Sequence, residues 1–192
     1  MINSRKDLIK CLSQDSIANK RKTIRPSLYG DDIWKFIYLL RLNEYYSSLT
    51  GLKKVLCFPI TALRKIQFHH RSLLMGFSIP INVFDSGLSI AHYGTIVVNG
   101  NCKIGKNCRI QTGVTLGSTN GCTEAPVLGD NIFLGDGCKI IGNISIANDV
   151  AIGANAVVVK SITEPGTTWG GIPAHKISNN NSHSNLPQTL FQ

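Results

Sequence analysis

The chain has 192 residues, 43% of them hydrophobic and 16% charged, so it can bury a core and is not a disordered chain. The net charge of +9 lies entirely in the first 76 residues, where 14 Lys and Arg face 5 Asp and Glu. Such an excess can attract an anionic membrane surface, an acidic glycan or nucleic acid, or it can serve only to keep a helical face in solution. We expect no nucleic-acid partner.

The N-terminal part predicts neither export nor a membrane span. Its longest apolar run, residues 55–63, is much shorter than the roughly 20 residues that a spanning helix needs. The first ten residues lack the apolar segment of a signal peptide. We therefore expect a cytoplasmic protein.

Residues 1–76 are predicted to form a basic, α-helical N-terminal region. The first 30 residues are polar and weakly patterned, which indicates a partly ordered arm. Residues 31–49 follow with a mostly apolar stripe at helical spacing. A second helical segment, residues 52–76, is expected to bend or restart near Pro59.

The second helical segment mixes apolar and basic side chains. We expect the apolar set to pack inside an N-terminal cap and the basic set to stay in water. The apolar set is Leu63, Ile66, Leu73 and Leu74, and the basic set is Lys53, Lys54, Arg64, Lys65 and Arg71. The same mixture can lie on a membrane, so peripheral contact with the inner membrane face through residues 1–76 stays open.

From residue 97 the chain divides into blocks of six residues. The second position is aliphatic in ten of eleven blocks, from Val98 to Val158, and the sixth is usually small or aliphatic. Gly, Asn and Asp stand between them and suit turns with positive φ. Only residues 121–126 break the pattern. This repeat is typical of a parallel β-helix, in which three short strands make one coil and stacked coils bury the aliphatic positions.

The six cysteines form neither a C-x-x-C pair nor a zinc-type cluster, so we expect no metal. Cys102, Cys108 and Cys138 fall on an inward phase of the repeat and are predicted to be small core residues. Cys122 lies off that phase, in a loop.

Three classes of protein with hexapeptide repeats can be compared with this sequence by the residues that each class needs. Zinc carbonic anhydrases need three metal-binding histidines, whereas the repeat region offers His92. Proteins with a nucleotide-sugar domain need a glycine-rich loop, which residues 1–76 lack. Acyltransferases need a base, and histidine suits that task because its pKa is near neutral. Acyl transfer therefore remains.

His92 itself allows two interpretations. Counted backwards, the repeat puts His92 at an aliphatic position, in phase with Val98 and Ile104. A buried histidine there would be costly unless paired. Either the early coil is irregular or the side chain turns to the surface, and the residue is then a catalytic base or a hydrogen-bonded structural histidine.

The stretch GLSIAHYGTIVVNGNCKIGKNCRIQTGVTLG (87–117) and the ending GGIPAHKI resemble the serine O-acetyltransferase family. The likeness is strongest to its shorter members linked to bacterial surface-polysaccharide biosynthesis, and it covers about residues 77–177. It implies a left-handed parallel β-helix, a homotrimer, acetyl-CoA in a groove between subunits, and His92 as general base. The positions it implies for the CoA groove are Gly117, Asp136, Ala154, Lys160, Pro173, Ala174 and Lys176.

Two departures from that family concern the acceptor. Phe77 stands where the family has the aspartate that orients the base, and Ala125 where it has a second histidine. Candidates to orient the base or bind the acceptor instead are Asp85, Tyr93 and Glu124.

We therefore predict a mainly β acetyltransferase domain at 77–177, a left-handed parallel β-helix, after the helical region 1–76 and before a loose polar tail at 178–192. The predicted acceptor is a hydroxyl of a surface polysaccharide or its precursor, because the N-terminal region is basic and the amino-acid side of the family's site is altered. L-Serine is the alternative acceptor, and a non-catalytic trimeric scaffold is a third reading.

Overall fold

The computed structural model describes residues 2–119, 121–187 and 190, and in them helices precede a series of short strands. The helices are α1 (Arg5–Ala18), α2 (Asp32–Ser48), α3 (Gly51–Leu56) and α4 (Phe58–Met75). The strands are β1 (Phe77–Ser78), β2 (Ser89–Ile90), β3 (Ile96–Val98), β4 (Lys103–Ile104), β5 (Arg109–Ile110), β6 (Thr115–Gly117), β7 (Val127–Leu128), β8 (Phe133–Leu134), β9 (Lys139–Ile141), β10 (Ser145–Ile146), β11 (Ala151–Ile152), β12 (Val157–Val158), β13 (Thr168–Gly170) and β14 (His175–Ser178). A short 3₁₀ helix, His183–Asn185, comes last. The prediction of a mainly β chain with N-terminal helices is confirmed.

The first 30 residues are more ordered than the sequence indicated. The Ser4 hydroxyl accepts a hydrogen bond from the backbone N–H of Asp7 at 3.1 Å and so caps α1. α1 then buries Leu8 and Leu12 against the rest of the chain. The prediction of a partly ordered arm was wrong for residues 5–18, because a good cap and a short apolar stripe suffice when a packing partner is present, whereas residues 21–30 form no helix or strand.

α2 is the centre of the helical region, with α1 and α4 packed against it. The ring of Phe36 stacks on Phe68 of α4 at a centroid distance of 5.2 Å. It also meets Phe77 of β1 edge-on at 4.9 Å. These aromatic contacts therefore connect the helices to the first strand.

The helix break near Pro59 is confirmed, since α3 ends at Leu56 and α4 begins at Phe58. The predicted orientation of α4 was wrong. The face of α4 that packs against α2 carries Phe68 and Arg71: Phe68 stacks on Phe36, and Arg71 pairs with Asp32 at 2.9 Å. The residues expected to pack are instead exposed: Leu63, Ile66, Leu73 and Leu74. None of the helices in the described part of the chain has the length and apolar character that crossing a bilayer requires.

The strands form three parallel sheets, which the chain visits in turn. Sheet I contains β1, β3, β6, β9 and β12, and sheet II contains β4, β7 and β10. Sheet III contains β2, β5, β8, β11 and β13, with β14 antiparallel to β13. In the regular part each strand pairs with the strand three six-residue blocks earlier, as Ile152 does with Leu134. The aliphatic positions of successive coils therefore lie above one another.

The core follows the six-residue phase read from the sequence. The ten aliphatic second positions are buried, with Ile110, Leu116 and Leu134 wholly inaccessible. The sixth positions are buried as well, including the predicted core cysteines Cys102, Cys108 and Cys138. Burying a side chain of the size of leucine contributes about 1.5–3 kcal/mol, so the stacked column dominates the stability of this region. Cys122 lies exposed in the loop between β6 and β7, as predicted.

A buried ion network joins the helical region to the first coil, residues 77–95, which ends where Ile96 pairs with Phe77. Arg41 of α2 pairs with Asp15 of α1 at 2.7 Å and with Glu44 at 3.0 Å. Arg41 also donates to two backbone carbonyls of the first coil, and Asp15 accepts from two backbone N–H groups there. These backbone partners are Phe84, Asp85, Gly87 and Leu88.

The polar tail is docked from residue 178 to residue 187, so the expectation of a loose tail was wrong for these residues. The backbone N–H of Ser182 donates to the carbonyl of Asp149 at 3.1 Å. The His183 imidazole lies 2.7 Å from the Asp149 carboxylate, and Leu186 is buried. Residues 188, 189, 191 and 192 lie outside the described residues.

Candidate active site on the edge between sheets III and I

His92 lies in the turn that leads from β2 in sheet III to β3 in sheet I. Ile90 takes the inward position and pairs with Ile110. The coil between them is two residues longer than a regular coil of three blocks, so the six-residue phase does not extend back to His92. The first coil is therefore irregular, and the His92 side chain is exposed.

The register aligns equivalent turn residues of successive coils along this edge, which we call the histidine edge. Each lies two positions after an inward residue of sheet III, and the inward residues pair in series. The aligned residues are His92, Thr112, Asp136 and Ala154. His92, Asp136 and Ala154 were candidates from the sequence, whereas Thr112 was missed. Counting from the paired strands, rather than in blocks of six, would have found Thr112.

Close packing fixes the backbone just after His92. Gly94 has φ +133°, a conformation that L side chains rarely adopt, and a Cβ on it would lie 2.3 Å from the Thr112 hydroxyl oxygen. The hydroxyl of Thr112 therefore occupies the space that a side chain on Gly94 would need. A glycine is required here for the turn that presents His92.

Of the residues predicted to orient His92 or bind the acceptor, those near it in the sequence lie in different parts of the structure. Within the described residues, the His92 imidazole has no hydrogen-bond partner from its own chain. Phe77, which was predicted to replace an orienting aspartate, is buried in sheet I. Asp85 precedes β2, on the far side of sheet III, where its carboxylate accepts from the N–H of Ser86 at 2.6 Å. Tyr93 is exposed beside His92.

A second group of candidates lies on the edge between sheets I and II. Gly117 ends β6, and the loop that follows it carries Glu124. Lys160 follows β12 on the same edge, and both charged side chains are exposed. One chain therefore places Asp136 and Ala154 on one edge of sheet I and Gly117 and Lys160 on the other.

The C-terminal segment covers the last strand of sheet I. The N–H of Val157 donates to the carbonyl of Gly171 at 3.0 Å, and the N–H of Ala174 donates to the carbonyl of Val157 at 2.8 Å. Pro173 lies between these two contacts, beside the end of the histidine edge. Lys176 lies in β14 and pairs with Glu164 at 2.5 Å, so a carboxylate already neutralises its charge.

The chemistry of the histidine edge fits proton transfer. An exposed imidazole is within reach of an acceptor hydroxyl and can act as a general base. Thr112 and Asp136 add polar groups farther along the edge. Within the described residues, no group of three His, Cys, Asp or Glu side chains is placed to hold a metal ion.

The sequence is similar to curated serine acetyltransferases. It is 40% identical over 114 residues to the serine acetyltransferase of Staphylococcus epidermidis, covering 55% of this chain and 53% of that protein. It is 36% identical over 114 residues to that of Staphylococcus aureus strain Mu50, with the same coverage. The chain thus spans about half the length of the curated relatives it matches. No family model matches the chain.

Solved structures of serine acetyltransferases share the fold. The enzyme of Neisseria gonorrhoeae in complex with serine is 27% identical, with a TM-score of 0.63 over 88% of this chain and 69% of that chain. The soybean apoenzyme is 25% identical, with a TM-score of 0.66 over 90% of this chain and 69% of that chain. The enzyme of Brucella abortus has a TM-score of 0.72 over 93% of this chain and 72% of that chain at 24% identity, which is a likeness of fold alone.

These relatives correct the predicted acceptor. The preference for a polysaccharide hydroxyl was wrong, because the relatives at 36–40% identity are named serine acetyltransferases. The basic N-terminal region misled the prediction, since part of its charge serves the fold: Arg41 is buried between Asp15 and Glu44, and Arg21 pairs with Asp31. The chain is therefore similar to serine acetyltransferases in sequence over 114 residues and in fold over most of its length.

Proposed function

We propose that the chain is an acetyl-CoA-dependent serine O-acetyltransferase with His92 as its general base. The observation that carries the proposal is the 40% identity over 114 residues to the Staphylococcus epidermidis enzyme. The likeness to the gonococcal structure, which contains serine, supports L-serine as the acceptor. The reading as a non-catalytic scaffold is less consistent with these relatives, because their names are those of enzymes.

The proposal includes a left-handed parallel β-helix that assembles as a homotrimer. Three sheets visited in turn, with coils in register, support the helix. The two-edge distribution of the candidates supports the trimer, because a groove needs the histidine edge of one chain and the sheet I–II edge of a neighbour. The helical region 1–76, the coil domain 77–177 and the tail 178–192 are the proposed divisions, and a cytoplasmic location remains a prediction.

The proposed reaction is a direct transfer. His92 removes the proton of the serine hydroxyl while its oxygen bonds to the acetyl carbonyl carbon. The carbon–sulfur bond then breaks, and the thiolate of CoA takes the proton from the imidazolium. General-base catalysis of this kind contributes about 10²–10⁴-fold in rate.

The remaining candidates have proposed roles in binding. Asp136 and Ala154, in line with His92, flank the pantetheine arm, and the backbone at Gly117 lines the groove from the neighbouring chain. Lys160 is exposed and meets the CoA phosphates as a point charge. Pro173 and Lys176 flank the nucleotide end, although Lys176 must first exchange its contact with Glu164.

Among the described residues of its own chain, no carboxylate contacts His92, so we look for one on a neighbouring chain. Glu124 is exposed on the edge that a neighbouring chain would bring to His92, so it is the proposed partner of the imidazole or of the serine ammonium group. Asp85 is the weaker candidate, because it lies across sheet III. Tyr93 lies next to His92 and is proposed to contact the acceptor.

The test is thiol release from acetyl-CoA by the full chain with L-serine as acceptor, followed by mass analysis of the product. Release that depends on L-serine, with O-acetylserine as product, is expected. A de-O-acetylated polysaccharide serves as the control acceptor and should release no thiol. Absence of serine-dependent release from a folded, trimeric protein would refute the proposal.

A further inference from the structure

α3 and α4 carry an apolar stripe on their outer side. Backbone hydrogen bonds with helical spacing cross their junction, from Cys57 N–H to Lys53 at 3.0 Å and from Thr61 N–H to Cys57 at 2.9 Å. Exposed apolar residues recur along both helices at spacings of three, four or seven positions, which places them on one face. This outer stripe consists of Leu52, Val55, Leu56, Leu63, Ile66, Leu73 and Leu74, each between 52% and 73% exposed.

The opposite side of α4 makes the contacts with the rest of the chain. Phe68 stacks on Phe36, Arg71 pairs with Asp32, and Met75 is buried. The orientation of α4 is therefore fixed, and it directs the outer stripe away from the core. Single exposed leucines are ordinary on a protein surface, but a contiguous stripe of this length marks a surface that something else covers.

The charge of this segment indicates what covers it. Between Glu44 and Asp85 the sequence has five Lys and Arg and no Asp or Glu. Arg71 is paired with Asp32, whereas Lys53, Lys54 and Lys65 are exposed and make no ion pair with any described residue. The segment thus combines an apolar stripe with unpaired lysine side chains, which are long and flexible.

We propose that the outer stripe and its lysines dock on an anionic lipid surface. Apolar side chains of an interfacial helix enter the boundary between headgroups and acyl chains, and lysine stems extend to the headgroups. A second copy of this chain fits less well. It would place the same lysines against one another, and the segment has no carboxylate to compensate them. The attachment is peripheral and independent of the histidine edge.

The lysines are tested by flotation of the full chain with vesicles. The protein should float with phosphatidylcholine vesicles that contain phosphatidylglycerol, should stay behind with phosphatidylcholine alone, and should detach in high salt. Lys53→Gln/Lys54→Gln/Lys65→Gln should weaken partitioning on the order of 100-fold, since each lysine near the surface contributes about tenfold or less. The matched control removes the same charge from exposed positions at the start of the chain: Arg5→Gln/Lys6→Gln/Lys10→Gln. It should weaken binding far less.

The stripe is tested by Leu56→Gln/Ile66→Gln/Leu73→Gln, which should abolish flotation with unchanged helical content by circular dichroism. Ile9→Gln, at an exposed apolar position of α1, is the control and should still float. Absence of flotation in the wild type, or an equal loss in the controls, would overturn the proposal. A reduction of the solution mass by the stripe variant, in the absence of lipid, would assign the stripe to a second copy instead. Serine-dependent thiol release should be unchanged in these variants, so the two proposals fail separately.

Discussion

Replacing Asp15 by asparagine tests the network that joins the helices to the coils. Asp15 is wholly buried, and its carboxylate accepts from Arg41 Nε at 2.7 Å and from the N–H groups of Gly87 and Leu88 at 2.7 and 2.9 Å. Burial opposes the charge of Arg41, but the carboxylates of Asp15 and Glu44 outweigh it and hold the pKa of Arg41 well above its ordinary value. Arg41 also stays charged in the variant, because a guanidinium keeps its proton in proteins.

The expected loss of unfolding free energy depends on which contacts of the Asp15 carboxylate an asparagine amide can still make. One oxygen of asparagine can still accept from the backbone of the first coil, but its NH₂ group faces the N–H donors of Arg41. Breaking a buried ion pair by removing one partner costs about 3–5 kcal/mol. Because Glu44 still pairs with Arg41, we expect a loss near the low end, about 3 kcal/mol.

Urea unfolding followed by circular dichroism measures this loss, at one protein concentration because assembly affects stability. Glu164→Gln is the matched control, since it removes a carboxylate from an exposed pair with Lys176 and should cost at most about 1 kcal/mol. If Asp15→Asn lowers the free energy of unfolding no more than this control does, the buried network does not join the two parts in the way described.

Three further predictions concern the coils. Leu134→Ala should lower the free energy of unfolding by about 2–5 kcal/mol in urea, because it leaves a cavity in the stacked column; a loss below 1 kcal/mol would contradict the packing. Gly94→Ala should cost at least about 1 kcal/mol and reduce serine-dependent turnover, because its φ is +133° and its Cβ would meet Thr112; unchanged kinetics and stability would argue against a fixed turn. Cys122 should react with a thiol reagent in the folded protein, whereas Cys138, whose pKa burial raises to about 12, should react only after unfolding, and mass mapping of the labelled thiols distinguishes the two.

The coil core could be predicted from the sequence because its rule is local and repeated. Each block places its second residue inward, so Leu134, Ile140 and Ile152 are buried as expected. The rule fails where a coil changes length. The coil that begins at Ile90 has two extra residues, and that displaces His92 from the interior to the surface.

The helical region was harder to predict because its packing is decided by partners far away in the sequence. Leu63 and Ile66 look like core residues by composition, yet the stacking of Phe68 on Phe36 and the pairing of Arg71 with Asp32 turn them outward. Neither contact has a local signal. The acceptor was misjudged for a similar reason, since the sequence does not distinguish a free arginine from one that is buried in an ion pair.

The most direct test of the proposed catalysis compares initial rates of thiol release from acetyl-CoA with L-serine for the wild type, His92→Ala and His69→Ala. His69 is an exposed histidine of α4 that is not among the aligned residues of the histidine edge, and its variant controls for the loss of an imidazole. We predict that His92→Ala lowers kcat by about 10²–10⁴-fold, while His69→Ala retains the wild-type rate. Equal rates for all three proteins would show that His92 is not the base.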